Sequence, residues 1–292
     1  MKDFPKVALG TWLMGGTKDP DRNNDDGADI KKILTAIKSG VTLVDTAQNY
    51  ANGSAEELVG EAVRRLDYQE KSRVQILTKH SRLKLNSPEE IRSTIDGSFK
   101  RLKVDKIDYY LLHAPAHDDN AAKLKYFFDV VDEFVSNGKI KNIGVSNFSI
   151  EMLEYARSVS QSPIKVNQVS LNIFNRKPIE AGLLEYCINN GIAFQAYRPL
   201  AASLDELESN ETVAAISEKR AITKAQVALA YVLKKGADLT VSASSAKHWQ
   251  DILAVADDNP LTQDDISMIE ANIPSRPHSR TEYDDFIDMK LN

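Results

Sequence analysis

The sequence is short of several things, and each shortage narrows what the protein can be. There is one cysteine, Cys187, in 292 residues. Alone it can close no internal disulfide and build no thiol-based zinc site. It sits in a helical stretch, LLEYCINN, and reads as packing. No apolar run approaches the ~18 residues of a membrane span. The N-terminal MKDFPKVALG lacks the apolar core of a signal peptide. Cations are not in excess: 37 Lys and Arg against 42 Asp and Glu give a net charge of −5 with both signs interspersed. That is not the footprint of a nucleic-acid binder. No Gly-x-Gly-x-x-Gly follows a candidate strand, which argues against a Rossmann fold. Asp45, His80 and His113 lack tight metal-ligand spacing, and a neighbouring lysine would repel a cation, so no metal is expected. The expectation is a cytoplasmic protein with neither a membrane nor a nucleic-acid partner. Monomer is the default.

What is present is alternation. The stretch VTLVDTAQNY, residues 41–50, opens as a short apolar run and ends in an acid, Asp45, with Tyr50 five residues on. A short apolar run bounded by polar residues reads as a buried strand. Similar runs start at 74 and 107, about 33 residues apart, a length that fits a strand, helix, strand unit. Further strands are expected at 142–145, near Lys165 to Gln168, at 192–196, and at 238–243 as the seventh. The candidate for the eighth is Ile252–Ala256, where strand and helix patterns overlap. Between the strands lie helical patterns with their stops: a capping box at Ser87-Pro88-Glu89-Glu90, Ser149, one helix from Pro178 to Gly191, a capping box at Thr223 and Gln226, and Thr262. Residues 198–210 read as an extended loop and the stretch from Pro274 as a tail. Alternating strands and helices without a composition break argue for a parallel sheet. The fold expected is a single α/β domain over residues 1–292: a (β/α)8 TIM barrel with a short N-terminal hairpin and a C-terminal tail.

Barrels of this kind carry their chemistry at the carboxyl ends of the strands. Those ends hold Asp45, Lys79, His113, Ser146 with Asn147, Gln168 and Tyr197. Any one of them has a structural explanation, but six converging strand ends are hard to explain by packing. A tyrosine is a poor acid near neutrality, with an ordinary pKa of about 10. A lysine beside it stabilises the phenolate, and an aspartate beside the lysine keeps the lysine charged. Asp45, Lys79 and Tyr50 can form such a chain, with His113 positioning an oxygen or assisting proton movement. None of these groups supplies a hydride, so a redox role requires a cofactor.

Several motifs together resemble the aldo-keto reductase family. They are Gly10-Thr11-Trp12, VDTAQNYANGSAEELVG, ILTKH, YYLLHAP, IGVSNF, VNQVSLN and AYRPL, in order from residue 4 to about 200. The resemblance implies reduction of an aldehyde or ketone to an alcohol, or the reverse, on a small-molecule substrate. It implies a catalytic tetrad of Asp45, Tyr50, Lys79 and His113, with Tyr50 as general acid and His113 orienting the substrate oxygen. Ser146, Asn147 and Gln168 would hold the nicotinamide carboxamide, and Tyr197 would stack on its ring. Thr11, Asp45, Leu200, Ser244, Ser245 and Gln250 complete the implied cofactor contacts; Trp12, Tyr50 and His113 face the substrate.

The sequence departs from the family pattern in places. Ala51 stands where many members have glycine, and Ala55 where many have serine. The position of the arginine that grips the 2′-phosphate of NADP falls at Gln250, with Lys247 and His248 the nearby cations. NADP(H) is favoured on family tendency; NAD(H) stays open because that guanidinium is missing. Two other function classes remain. One is a nucleotide-binding regulatory or sensor subunit on the same fold, as in potassium-channel β-subunits. The other is a Schiff-base enzyme with Lys79 as nucleophile. Arg198, Arg276 and Arg280 in the mouth loops could suit an anionic or polar carbonyl compound, although solvated arginines are the simpler explanation.

Overall fold

The structure is a computed structural model that describes residues 4–115, 121–200 and 204–276. Eight parallel strands close into a barrel in sequence order. They are β1 Val7–Gly10, β2 Leu43–Asp45, β3 Gln75–His80, β4 Ile107–Leu112, β5 Ile140–Ser146, β6 Ile164–Ser170, β7 Ala193–Tyr197 and β8 Asp238–Val241. The ring is completed by β1 against β8, with Val7 opposite Leu239 and Leu9 opposite Val241.

Around it run α1 Asp26–Lys38, α2 Ser54–Arg64, α3 Tyr68–Arg73, α4 Pro88–Leu102, α5 Ala121–Ser136, α6 Ile150–Val159 and α7 Lys177–Glu180. They continue as α8 Leu183–Asn189, α9 Leu204–Ser209, α10 Glu211–Arg220, α11 Lys224–Lys234, α12 Ala246–Asp257 and α13 Gln263–Asn272. Short polar side chains start many of them. Ser87 accepts from Glu90 N (3.2 Å) at α4 and Ser149 from Met152 N (3.3 Å) at α6. Each supplies a partner to a backbone donor that the helix itself leaves unpaired.

The fold has two apolar cores. A large one lies between strands and helices. A small one fills the barrel and comprises Phe4, Ala8, Leu43, Leu77, Tyr109, Leu111, Val166 and Ala193. Phe4 packs edge-on against Tyr109 at 5.1 Å. Strand pleat then dictates what stands above this layer, because residues two apart share a face. Leu43 is followed by Asp45, Leu77 by Lys79, Leu111 by His113, Val166 by Gln168 and Ala193 by Gln195. An apolar floor thus carries a polar layer at the C-terminal mouth.

Gly144 shows how tightly the interior is filled. A Cβ there would lie 2.4 Å from Val166 Cγ1 and 2.9 Å from the Val166 carbonyl oxygen. The backbone oxygen cannot step aside, so Gly144→Ala is expected to cost about 1–3 kcal/mol, as overpacking does. Urea unfolding reads this directly; an unchanged midpoint would contradict the packing.

Several expectations need correction. The described N-terminal residues form no hairpin: Val7–Gly10 is the first barrel strand, paired with β2 and β8. The strand at 238–241 is therefore the eighth, and Ile252–Ala256 lies inside α12. Ile252, Val255 and Ala256 are buried at i, i+3 and i+4, which is helix spacing. The helix expected from Pro178 to Gly191 is two, divided at Gly182, whose φ is +73°. Part of the 198–210 loop is α9. At α4 only half of the capping box forms, because Glu90 reaches Asn86 N (3.1 Å) rather than Ser87. Residues 277–292 of the tail, and Arg280 with them, lie outside the described residues.

Candidate active site

The polar layer surrounds a cavity of about 420 Å³ at the barrel mouth. Thr11, Trp12, Asp45, Tyr50, His113, Ser146, Asn147, Gln168, Tyr197 and Leu200 all line it. Lys79 lies beneath, fully buried, and reaches it through its partners. Ser244, Ser245 and Gln250 do not line the cavity. Ser245 caps α12, accepting from His248 N at 3.2 Å, while Ser244 and Gln250 are exposed.

Lys79 Nζ donates to Asp45 Oδ1, to Thr46 O (2.9 Å) and to Tyr50 Oη (3.3 Å). Three acceptors surround a charge that is fully buried. Burial pushes the lysine pKa down, but the Asp45 carboxylate, with a further share from Tyr50, more than offsets it; the net shift is upward. The ammonium is thus held charged through neutral pH. Asp45 Oδ2 accepts from Gln168 Nε2 (2.9 Å) and Thr240 Oγ1 (2.8 Å).

Tyr50 starts a 3-10 turn, Tyr50–Gly53, in which Ala51 and Asn52 have positive φ of 46° and 50°. That explains why glycine suits position 51. Leu13, Asn147 and Arg198, also with positive φ, line the same cavity. Left-handed backbone at non-glycine residues is unfavourable and concentrates where geometry is demanded. Below the turn, Glu56 is fully buried in α2. It accepts from Thr78 Oγ1 (2.6 Å) and Arg101 Nε (2.7 Å), tying α2 to β3 and α4.

His113 stands beside Tyr50 with ring centroids 5.5 Å apart, and Trp12 packs on the tyrosine at 4.9 Å. Burial, then the charges of Lys79 and Arg82, hold the His113 pKa well below the usual histidine value. It is a neutral imidazole at neutral pH, able to donate one N–H to an oxygen. On the other wall, Ser146 Oγ donates to the Gln168 carbonyl (2.8 Å) and Tyr197 Oη to Asn147 Oδ1 (3.0 Å).

His80, one residue after Lys79, faces the opposite side of β3. Its Nδ1 pairs with Tyr110 Oη (3.0 Å) and its Nε2 with Lys84 O (2.8 Å). The loose trio Asp45, His80 and His113 is therefore not assembled, and no metal-ligand cluster occurs among the described residues. Burial lowers the His80 pKa from 6.5 to about 4. The unfolded chain takes up this proton first as pH falls, so stability is complete above about 6.5 and lost towards 4, by roughly 2–3 kcal/mol. Urea unfolding at pH 7 and 4.5 should show that loss, and His80→Gln should reduce it; an equal loss in the variant would contradict the assignment.

Two polar residues of this layer, Gln195 and Thr240, carry no signal in the sequence that marks them as site residues. Both lie inside strands: the pairing of β6 with β7 sets Gln195 opposite Gln168, and closure of the barrel brings Thr240 to Asp45.

The sequence profile of the Aldo/keto reductase family matches residues 6–273. The chain is 34% identical over 206 residues to the aldo-keto reductase YhdN of Bacillus subtilis, covering 68% of this chain and 59% of that protein. It is 30% identical over 289 residues to the methylglyoxal reductase YeaE of Escherichia coli, covering 96% and 95%. An aldo/keto reductase from Klebsiella pneumoniae, solved in complex with NADP and acetate, superposes with a TM-score of 0.79 at 28% identity, over 94% of this chain and 93% of that one.

Proposed function

Because the chain belongs to the aldo/keto reductase family of NAD(P)-dependent oxidoreductases, we propose that it reduces a small aldehyde or ketone to an alcohol with Tyr50 as the proton donor. The observation that carries this reading is the Lys79 ammonium, buried against Asp45 and 3.3 Å from Tyr50 Oη. A positive charge there favours negative charge on the phenol oxygen and so eases release of its proton. His113, neutral and adjacent, is placed to donate to the same substrate oxygen and fix the carbonyl's direction. Trp12, 47% exposed, and Leu13, 56% exposed, give that end of the cavity an apolar rim.

The opposite wall fits a nicotinamide. Ser146, Asn147 and Gln168 set side-chain donors and acceptors beside the half-buried ring of Tyr197, as a flat group bearing a carboxamide requires. When bound, the reduced cofactor supplies the hydride. Proton and hydride together convert the carbonyl to the alcohol. We favour NADP(H), the cofactor named for the Klebsiella structure, and retain NAD(H). At the start of α12 the phosphate would meet Ser244, Ser245, His248 and Lys247, whose ammonium already pairs with Asp251 (3.0 Å), with Gln250 further along the helix. Neutral hydroxyls and a shared lysine grip phosphate less well than a bidentate arginine.

The Schiff-base alternative is disfavoured by Lys79 itself. A nucleophilic amine must be neutral and approachable; this one is buried, and its pKa is raised. We further propose a monomer acting on small molecules only, with no nucleic-acid partner. Among the described residues no helix is long and apolar enough to cross a membrane.

The test is oxidation of NADPH and NADH, followed by absorbance, with a panel of aldehydes headed by methylglyoxal, which the name of the Escherichia coli relative carries. Turnover with at least one aldehyde is expected. Binding of nucleotide without turnover across the panel would favour a sensor subunit instead.

A further inference from the structure

Asp45 and Gln195 together decide which end of the Gln168 amide faces the cavity. Asp45 Oδ2 belongs to an ion-paired carboxylate and can only accept hydrogen bonds. The Gln168 atom 2.9 Å from it must therefore be the nitrogen. That same nitrogen lies 2.7 Å from a side-chain atom of Gln195, which must be the oxygen, Oε1. Both amide hydrogens of Gln168 are then committed inside the barrel. What remains of the amide is its oxygen, on a residue that lines the cavity.

Gln195 is fully buried, and its own Nε2 has no hydrogen-bond partner among the described residues. A buried, unpaired amide nitrogen is unfavourable, and an aliphatic side chain would fill the space without it. Packing does not explain a glutamine here. Its carbonyl oxygen does, because it occupies the second Gln168 hydrogen and leaves that residue a pure acceptor.

We propose that Gln195 is a positioning residue that makes Gln168 a reader of the carboxamide NH2 of the nicotinamide. The proposal rests on the nicotinamide reading above. It also ties cofactor recognition to the proton donor, because the amide that reads the ring hangs from the carboxylate that holds Lys79.

The probe is NADP+ beside its 3-acetylpyridine analogue, which keeps the ring carbonyl and lacks the amide nitrogen. Affinities are measured by fluorescence titration for wild type and Gln195→Leu. Wild type is expected to bind the analogue about tenfold more weakly, the cost of one unpaired buried acceptor. In Gln195→Leu the released hydrogen lets the amide turn, and the preference should fall within about threefold. Equal weakening of both nucleotides in the variant would mark a scaffold role and overturn the proposal. So would a wild-type preference near one, a result that needs no folded variant. Wild type binding neither nucleotide would instead remove the nicotinamide reading, and this proposal with it.

Discussion

Tyr50→Phe is expected to lower kcat by about 10²–10⁴-fold, the range that a positioned general acid supplies. The substitution removes one oxygen and leaves the ring. Trp12 keeps its edge contact at 4.9 Å and His113 its contact at 5.5 Å, both made to the ring. Lys79 keeps Asp45 and the Thr46 carbonyl. Nucleotide affinity should therefore stay within about twofold, since an interaction used in the transition state is lost without ground-state binding. Stopped-flow and steady-state assays with NADPH separate the two quantities. A variant that retains more than about a tenth of wild-type kcat would show that the proton comes from elsewhere, with His113 the next group to test.

Lys79→Met is expected to damage both rate and fold. It leaves Asp45, 2% exposed, with hydrogen bonds from Gln168 and Thr240 and no counter-charge. Removing one partner of a buried ion pair typically costs about 3–5 kcal/mol. The lost ammonium should also lower kcat by at least about 10²-fold, because it is the cation 3.3 Å from Tyr50 Oη that favours charge on that oxygen. The double variant Asp45→Asn with Lys79→Met separates the two effects. It removes the stranded charge, so urea unfolding should show most of the stability restored, while kcat stays low. Recovery of activity along with stability would mean that the pair is only structural.

Much of this site was legible in the sequence because strand pleat is strict. Asp45, Lys79, His113 and Gln168 each follow an inward apolar residue by two positions. Once a barrel is assumed, the list of strand ends is close to the list of cavity residues. The same rule separates Lys79 from His80, its neighbour on the other face. Short-range patterns fail where strand pairing or closure of the barrel gives a residue its meaning. β1 is four residues long and contains Gly10, so it reads as an extended lead-in until β8 pairs with it. A count that starts at β2 leaves one strand missing, and the apolar residues Ile252–Ala256 of α12 are the remaining run that resembles one. Gln195 and Thr240 look like ordinary strand residues in AFQAY and DLTV. Their partners are 27 and 195 residues away. The left-handed turns at Leu13, Asn147 and Arg198 carry no glycine signal, so their concentration around the cavity emerges only from the fold.

On this reading the cavity seats a nicotinamide dinucleotide beside Tyr50. The most direct measurement of that is titration of the purified protein with NADPH and, separately, NADH, following tryptophan fluorescence. Trp12 lies on the cavity rim and Trp249 is buried in the first turns of α12. Saturable quenching is predicted for NADPH, with NADH weaker by less than about 100-fold, since one charged phosphate contact is worth roughly 1.5–3 kcal/mol. No quenching by either nucleotide, in protein whose circular dichroism shows it folded, would contradict the account.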